Sequence, residues 1–396
     1  MCHNQPTGGA RRALHGFCTE LQARHVLDVF TFDTADDEWL HDADIAEHVF
    51  RAKLPRRRPV RFGLYLNDLR SVLDQRALEA AYASMASRVD DGGYDVALVD
   101  VCRYTLVPGV LSSLRTPSVF YAHNGPASLE AGTWDPPRSA WGRARRAWHA
   151  PITRLREASL AAHQGSAARA ATVVATNSRH TAARLRAAYH VESVVCPPGV
   201  PLPAMVETER LPFVLSVGEV EPRKGFRFLL DALARLPVDI RPRLFVLANR
   251  ANPVELARLH EHARDLSVAL EVLVAPSGRT LAWHYAHARL FVYAAHNEAL
   301  GLAPLEAMAH RTPVVAVGEG GVAETVVSGA TGYLTTRDVH RFAECVRLLL
   351  EDDLRCVRMG RNARAHVEEQ WALEQRARAL EALLASTAAV DGKLAV

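Results

Sequence analysis

Short runs of β-branched and apolar residues recur along the chain, each separated from the next by a longer stretch of helical spacing. This alternation points to an α/β protein built on parallel sheets. In the first half the runs are Val26 to Phe32, Val96 to Val101, Ser118 to Ala122, Thr172 to Thr176 and Ser193 to Cys196. In the second they are Phe213 to Val217, Arg243 to Leu247, Leu270 to Val274, Leu290 to Ala294 and Val314 to Val317. Many are apolar at every position, as strands covered by helices on both faces must be. Between them, Leu14, Phe17 and Leu21 mark one amphipathic helix and Leu229, Leu230 and Leu233 another. Proline and polar residues concentrate in PPGVPLPAMVETERLPF, from Pro197 to Phe213, the best domain boundary. Two α/β halves follow from it. Ligands in such folds collect outside the carboxyl ends of the strands, here expected to face a cleft between the halves.

Composition excludes several alternatives. With 396 residues, 49% hydrophobic and 23% charged, the chain has the profile of a globular protein of two or three domains. The longest apolar runs are strand-sized, too short for a spanning helix, and MCHNQPTGGARR lacks the apolar core of a secretory signal, so a cytoplasmic location is expected. Six cysteines without a CxxC pair read as structural thiols rather than a disulfide frame or zinc site. A formal charge of +3 gives no reason to expect a nucleic-acid partner. Only three residues are lysine, Lys53, Lys224 and Lys393, which makes each placed lysine informative.

The densest chemical signal is HNEALGLAPLEAMAHRTPVVAVGEGGVAETVVSGATGYL, His296 to Leu334. After a strand, Gly301 opens a turn and Pro304 sits where a first helical turn tolerates a missing amide. The amides of Gly301, Leu302 and Ala303 would be donors at a helix N-terminus, where a phosphate is the natural guest. Glu298 and Glu306, in E-x7-E spacing, would put two carboxylates at the rim of one pocket, Glu306 in the first helical turn, where they can accept from sugar and ribose hydroxyls.

This segment resembles the family 4 retaining glycosyltransferases, whose E-G-F-G-L-x-x-L-E-A-M-A follows a strand and binds the nucleotide sugar. Ala299 and Leu300 replace the first glycine and the phenylalanine, beside the donor sugar, while GG-x-x-E-x-V-x-x-G-x-T-G is intact from Gly320 to Gly332. FVLSVGEVEPRKGFRFLLDAL resembles the family's strand, G-R-x4-K-G and helix. Lys224 falls on the diphosphate-binding lysine, Glu219 stands where an arginine is usual, and Arg223 is the candidate for the displaced charge. PTGGARRALHGFCTELQAR resembles the glycine-rich loop and following helix, with Gly8 and Gly9 permitting close approach of a ligand. Only five residues precede Pro6, so the buried strand expected before this loop is missing, replaced or encoded upstream of Met1. SVFYAHNGPAS places His123 where the family has a cleft histidine beside the donor sugar. VVATNSRHTAARL and VVCPPGVP, with Pro201 for an aspartate, match scaffold segments.

The resemblance implies a GT-B fold: two Rossmann-like domains with parallel sheets facing a central cleft. The expected domains are an acceptor half at 1–203, a nucleotide-sugar half at 204–360 and a last helix within 361–396, around Arg361 to Ala385, that crosses back. It implies retaining transfer from a nucleoside diphosphate sugar, expected to be UDP-linked, to a hydroxyl acceptor, with no separate cofactor. His123 and Glu298 are the catalytic candidates. Gly8, Gly9, Arg223, Lys224, Gly301, Leu302, Ala303 and Glu306 are the substrate-binding ones. A small natural-product acceptor is expected, with a phosphorylated or lipid-linked one as the alternative. The D-x-D of Asp42 to Asp44 lies in a polar stretch with no strand before it and reads as a solvated helix face, so no metal is expected. WGRARRAWHAPITRLRE, Trp141 to Glu157, reads as an acceptor-domain helix with a basic face, or as a weak membrane-surface helix. From another class, a noncatalytic partner of a transferase draws support from Glu219 and the short start; among enzymes the runner-up is a sugar-nucleotide epimerase or a phosphorylase, the latter disfavoured because the second half offers a pyridoxal cofactor no suited lysine beyond Lys224.

Overall fold

The structure is a computed structural model and describes residues 1–4, 8–35, 41–54, 64–102, 105–125, 160–205 and 208–389. The basic stretch Trp141–Glu157 lies outside them. The chain forms two compact units, residues 1–197 together with 376–396, and residues 198–375. Each is an α/β unit on one parallel sheet.

The first sheet contains β1 (Cys2–Asn4), β2 (Asp28–Phe32), β3 (His48–Ala52), β4 (Ala97–Cys102), β5 (Ser118–Ala122), β6 (Val173–Thr176) and β7 (Val194–Val195). They lie in the order β3-β2-β1-β4-β5-β6-β7, parallel throughout. The second contains β8 (Leu211–Val217), β9 (Arg243–Ala248), β10 (Leu270–Val274), β11 (Ala288–Tyr293), β12 (Val314–Val317) and β13 (Gly332–Thr335). Their order is β10-β9-β8-β11-β12-β13, again parallel. Alternate residues of the inner strands enter opposite cores. Val214, Leu290 and Val315 pack into one, Leu215, Phe291 and Val314 into the other. This is the two-residue period of a strand buried on both faces, and it explains why those runs are apolar at every position.

One expectation is corrected at the centre of the first sheet. The position before the glycine loop is filled by Cys2–Asn4, paired with β2 on one side and β4 on the other. The segment Cys-His-Asn carries no apolar run, because its middle residue makes a buried polar contact. The His3 ring is hydrogen-bonded to Asp42 Oδ1 through Nε2 at 3.0 Å, and Arg11 Nη1 lies 2.8 Å from Nε2 and 3.0 Å from Nδ1.

Asp42 is the second correction. It opens a 3-10 turn, Asp42–Asp44, and its side chain is fully buried rather than solvated. Arg11, itself 1% exposed, donates to the same carboxylate, and Arg51 lies 3.6 Å from the other oxygen. Burial alone would raise this carboxyl, but the His3 hydrogen bond and the His3 and Arg11 charges bring it down to about 2. A group whose folded pKa is depressed contributes stability above its unfolded value and loses it as pH falls through the folded one. Roughly 2 kcal/mol should therefore disappear between about pH 4 and pH 2. Urea unfolding across that window measures the loss. Asp42→Asn should remove its pH dependence and lower stability at neutral pH, since Arg11 stays buried without its counter-ion.

The third concerns the end of the chain. In place of one helix around Arg361 to Ala385 there are two, Asp353–Gln370 and Leu373–Ala389. The first ends where Trp371 leaves helical geometry and its carbonyl accepts from the Val200 amide at 2.9 Å, while the Leu373 amide returns a bond to Val200 at 3.1 Å. The second unit thus runs through Gln375 rather than ending at 360. In the second of these helices, Ala377 and Leu380 join the core of the first unit beside Leu14, Phe17 and Cys18. No helix among the described residues is long and apolar enough to cross a membrane.

Candidate functional site

In the second sheet the strand order reverses between β8 and β11, and ligands of parallel sheets collect outside the carboxyl ends of the strands at such a point. The loop after β8 ends in a 3-10 turn, Pro222–Lys224. Gly225 follows at φ 72°, and a Cβ there would lie 2.1 Å from the Ala294 carbonyl oxygen. Only glycine allows this approach, which sets Lys224 against the loop after β11. Lys224 Nζ donates to Glu298 Oε2 at 2.5 Å, and Tyr293 Oη donates to the same oxygen at 2.9 Å. The two charged side chains are only 11% and 19% exposed. Burial opposes ionisation of Glu298, yet the Lys224 charge and hydrogen bond, with Arg223 and Tyr293, hold its carboxyl below the ordinary range. Tyr293 is pushed up by burial first and then by the Glu298 charge, with Glu306 also contributing.

Arg223 belongs to the same cluster. Burial would loosen its proton, but Glu298, Glu221 and Glu219 hold it. Its Nε donates to Glu221 Oε2 at 2.9 Å, Nη2 is 3.7 Å from Glu219, and its carbonyl accepts from the His296 amide at 2.8 Å. Glu219 therefore sits as a counter-ion of the arginine read as its substitute.

Beyond Glu298 the chain turns at Gly301, φ 93°, into the helix Leu302–Ala309. The amides of Leu302 and Ala303 open that helix and have no carbonyl partner within it. Glu306 is its fifth residue, one turn deeper than expected, 9% exposed, with Oε2 accepting from Tyr285 Oη at 2.7 Å. Downstream, the paired glycines let the loop after β12 lie on this one. The Gly321 amide donates to the Glu298 carbonyl at 2.7 Å, and a Cβ on Gly320 would lie 2.4 Å from that oxygen.

Three contributors carried no sequence signal. Tyr285 and Tyr293 lie outside any motif. Arg337, after β13, donates to the carbonyls of Ala294 at 3.0 Å and Ala295 at 3.4 Å and pairs with Glu319 at 2.6 Å, which fixes the segment leading to Glu298.

The remaining candidates belong to the first unit. Gly8, in extended geometry, precedes the helix Gly9–Leu21, and nothing lies within 4 Å of where its Cβ would be. His123 follows β5 as a buried, bonded group. Its side chain is 4% exposed, its Nε2 is 3.1 Å from the buried Asp100 carboxylate, and its carbonyl accepts from Asn177 at 2.7 Å. Asp100 was not singled out by sequence. Among the described residues, no group of three or more His, Cys, Asp and Glu side chains could hold a metal ion.

Residues 204–366 match the family described as glycosyl transferases group 1. The D-inositol 3-phosphate glycosyltransferase of Xylanimonas cellulosilytica is 36% identical over 181 residues, 42% of this chain and 43% of that protein. The alpha-1,3/1,6-mannosyltransferase ALG2 of Dictyostelium discoideum is 28% identical over 189 residues, 43% and 45% of the two chains. The chain thus aligns with less than half the length of these curated relatives. Over nearly its whole length it shares a fold with Anabaena Alr3699/HepE, solved with UDP and glucose, at a TM-score of 0.72, 20% identity and coverage of 97% and 99%. Sucrose-phosphate synthase from Thermosynechococcus elongatus gives 0.74 at 18% identity, covering 98% and 95%. Residues 204–366 thus carry a match to the glycosyl transferases group 1 family, and the two parallel-sheet units have the GT-B fold.

Proposed function

We propose that the protein transfers a glycosyl group from a nucleoside diphosphate sugar, UDP-linked, to a hydroxyl of a small acceptor, with retention at the anomeric carbon and without a metal or other cofactor. The observation that carries this reading is the Lys224–Glu298 pair, held at the strand-order reversal of the second sheet with Arg223 beside it. In this reading the diphosphate lies on Lys224, Arg223 and the amides of Gly301, Leu302 and Ala303, so charge developing on the leaving group meets fixed positive charge and N–H donors. Glu306 accepts from the ribose. Glu298 acts beside the reacting sugar, and His123, its ring held by Asp100, is proposed as a further catalytic group. Gly8 and Gly9, at the start of the helix Gly9–Leu21, are proposed as substrate contacts. UDP bound to the Anabaena protein of like fold supports the choice of base.

The relatives' names, a D-inositol 3-phosphate glycosyltransferase among them, favour a phosphorylated acceptor as the alternative to an unphosphorylated one. A noncatalytic partner is the second reading, favoured by the two carboxylates that already engage Arg223. Release of UDP from UDP-sugars, with and without hydroxylated and phosphorylated acceptors, separates the three. No release with any donor and acceptor would establish the noncatalytic reading. Glu306→Gln should weaken UDP binding about tenfold with little change in turnover at saturating donor, because ribose is held alike in ground and transition states. Titration calorimetry and initial rates check the split.

A further inference from the structure

We propose that Tyr285 is the positioning residue for ribose recognition, setting the plane of the Glu306 carboxylate so that it accepts from both ribose hydroxyls. The inference rests on the donor-site reading of Glu306. Tyr285, in the helix Gly278–His287, is fixed at three points. Its ring stacks on His310 at 5.3 Å between centroids and a 20° interplanar angle, and packs on Phe291 at 5.9 Å. Its carbonyl accepts from Thr312 Oγ1 at 2.6 Å. The ring is 2% exposed, and its hydroxyl reaches Glu306 Oε2 at 2.7 Å. A tyrosine so held cannot follow the carboxylate if it rotates, so the hydrogen bond selects one rotation of Glu306. A carboxylate offers about four acceptor sites and can take two donors at once on its two oxygens. A vicinal diol is such a donor pair, and it can use both oxygens only when their plane is already set.

The test compares a ribonucleotide with its counterpart lacking the diol. UDP, GDP and ADP are titrated into the full-length wild type by calorimetry, and the tightest is compared with its 2′,3′-dideoxy form. The wild type should discriminate by tenfold or more. Tyr285→Phe should shrink that ratio to about threefold or less and leave the dideoxy affinity unchanged. In a Glu306→Gln background the same substitution should have no effect on the ratio. Equal weakening of both ligands, or an unchanged ratio, would overturn the positioning role and make Tyr285 a packing residue. Should Tyr285→Phe fold poorly, Thr312→Val, which removes the shorter of the two hydrogen bonds to the tyrosine's carbonyl and leaves only Arg210 at 3.4 Å, should reduce the ratio in the same direction; an unchanged ratio there counts against the proposal. Failure of the wild type to bind any of the three ribonucleotides would instead refute the donor site itself.

Discussion

Lys224→Ala is expected to lower turnover about a hundredfold at saturating donor, the effect of removing one preorganised positive charge from a leaving group that gains negative charge as its bond breaks. The substitution also acts on the resting protein. A lysine in a motif of charged residues reads as a solvated turn whose loss costs little stability. The structure corrects this, because the side chain is only 11% exposed and carries the hydrogen bond to Glu298. Without it, a carboxylate is left among Tyr293 and the packed loop, a cost of up to about 3 kcal/mol. The double variant Lys224→Ala with Glu298→Gln should recover most of that stability and none of the turnover. Denaturant unfolding and steady-state rates on the same preparations separate the two effects. Near-normal turnover of the single variant would remove the diphosphate role.

Glu298→Gln should divide binding from catalysis in the opposite sense to Glu306→Gln. Turnover is expected to fall by roughly a hundredfold, as for loss of a charged group acting beside the reacting sugar. UDP alone should bind as tightly as to wild type or up to about tenfold more tightly. Glu298 is ionised and already occupies Lys224, so an arriving diphosphate must displace one anion to place another. The neutral isostere keeps the shape and releases the lysine. A loss of UDP affinity matching that of Glu306→Gln would show that both carboxylates serve the nucleotide.

Much of this arrangement could be read from the chain before the fold was known. Strands β5 and β12 match their sequence runs residue for residue because burial on both faces leaves a nearly unbroken apolar signature. The strands without that signature were missed. His48–Ala52 and Gly332–Thr335 lie at the sheet edges, where partial exposure permits polar and small residues, and Cys2–Asn4 is central but turns His3 toward a carboxylate. Asp42 looked solvated because its neighbours in sequence are polar; its partners His3 and Arg11 lie 39 and 31 residues away. Lys224 and Glu298 were legible, though 74 residues apart, because each sits in a motif of recognisable spacing. Tyr285 and Arg337 had no such frame. A lone tyrosine in a helix or arginine after a short strand acquires meaning only when the fold delivers it to a carboxylate or a row of carbonyls.

The division of the chain also fixes an order of events during synthesis. The second unit is continuous, residues 198–375, and can fold as soon as it has left the ribosome. The first cannot complete its core at that stage, since Leu14, Phe17 and Cys18 close against Ala377 and Leu380. Arg24 and His25, moreover, reach Glu381 at 2.8 and 2.7 Å. At about 5–20 residues per second, the amino-terminal sheet waits roughly ten to forty seconds for its last helix. Through that interval the apolar face of the helix that carries Leu14, Phe17 and Cys18 lacks its packing partners Ala377 and Leu380. The unit made first is therefore the unit finished last.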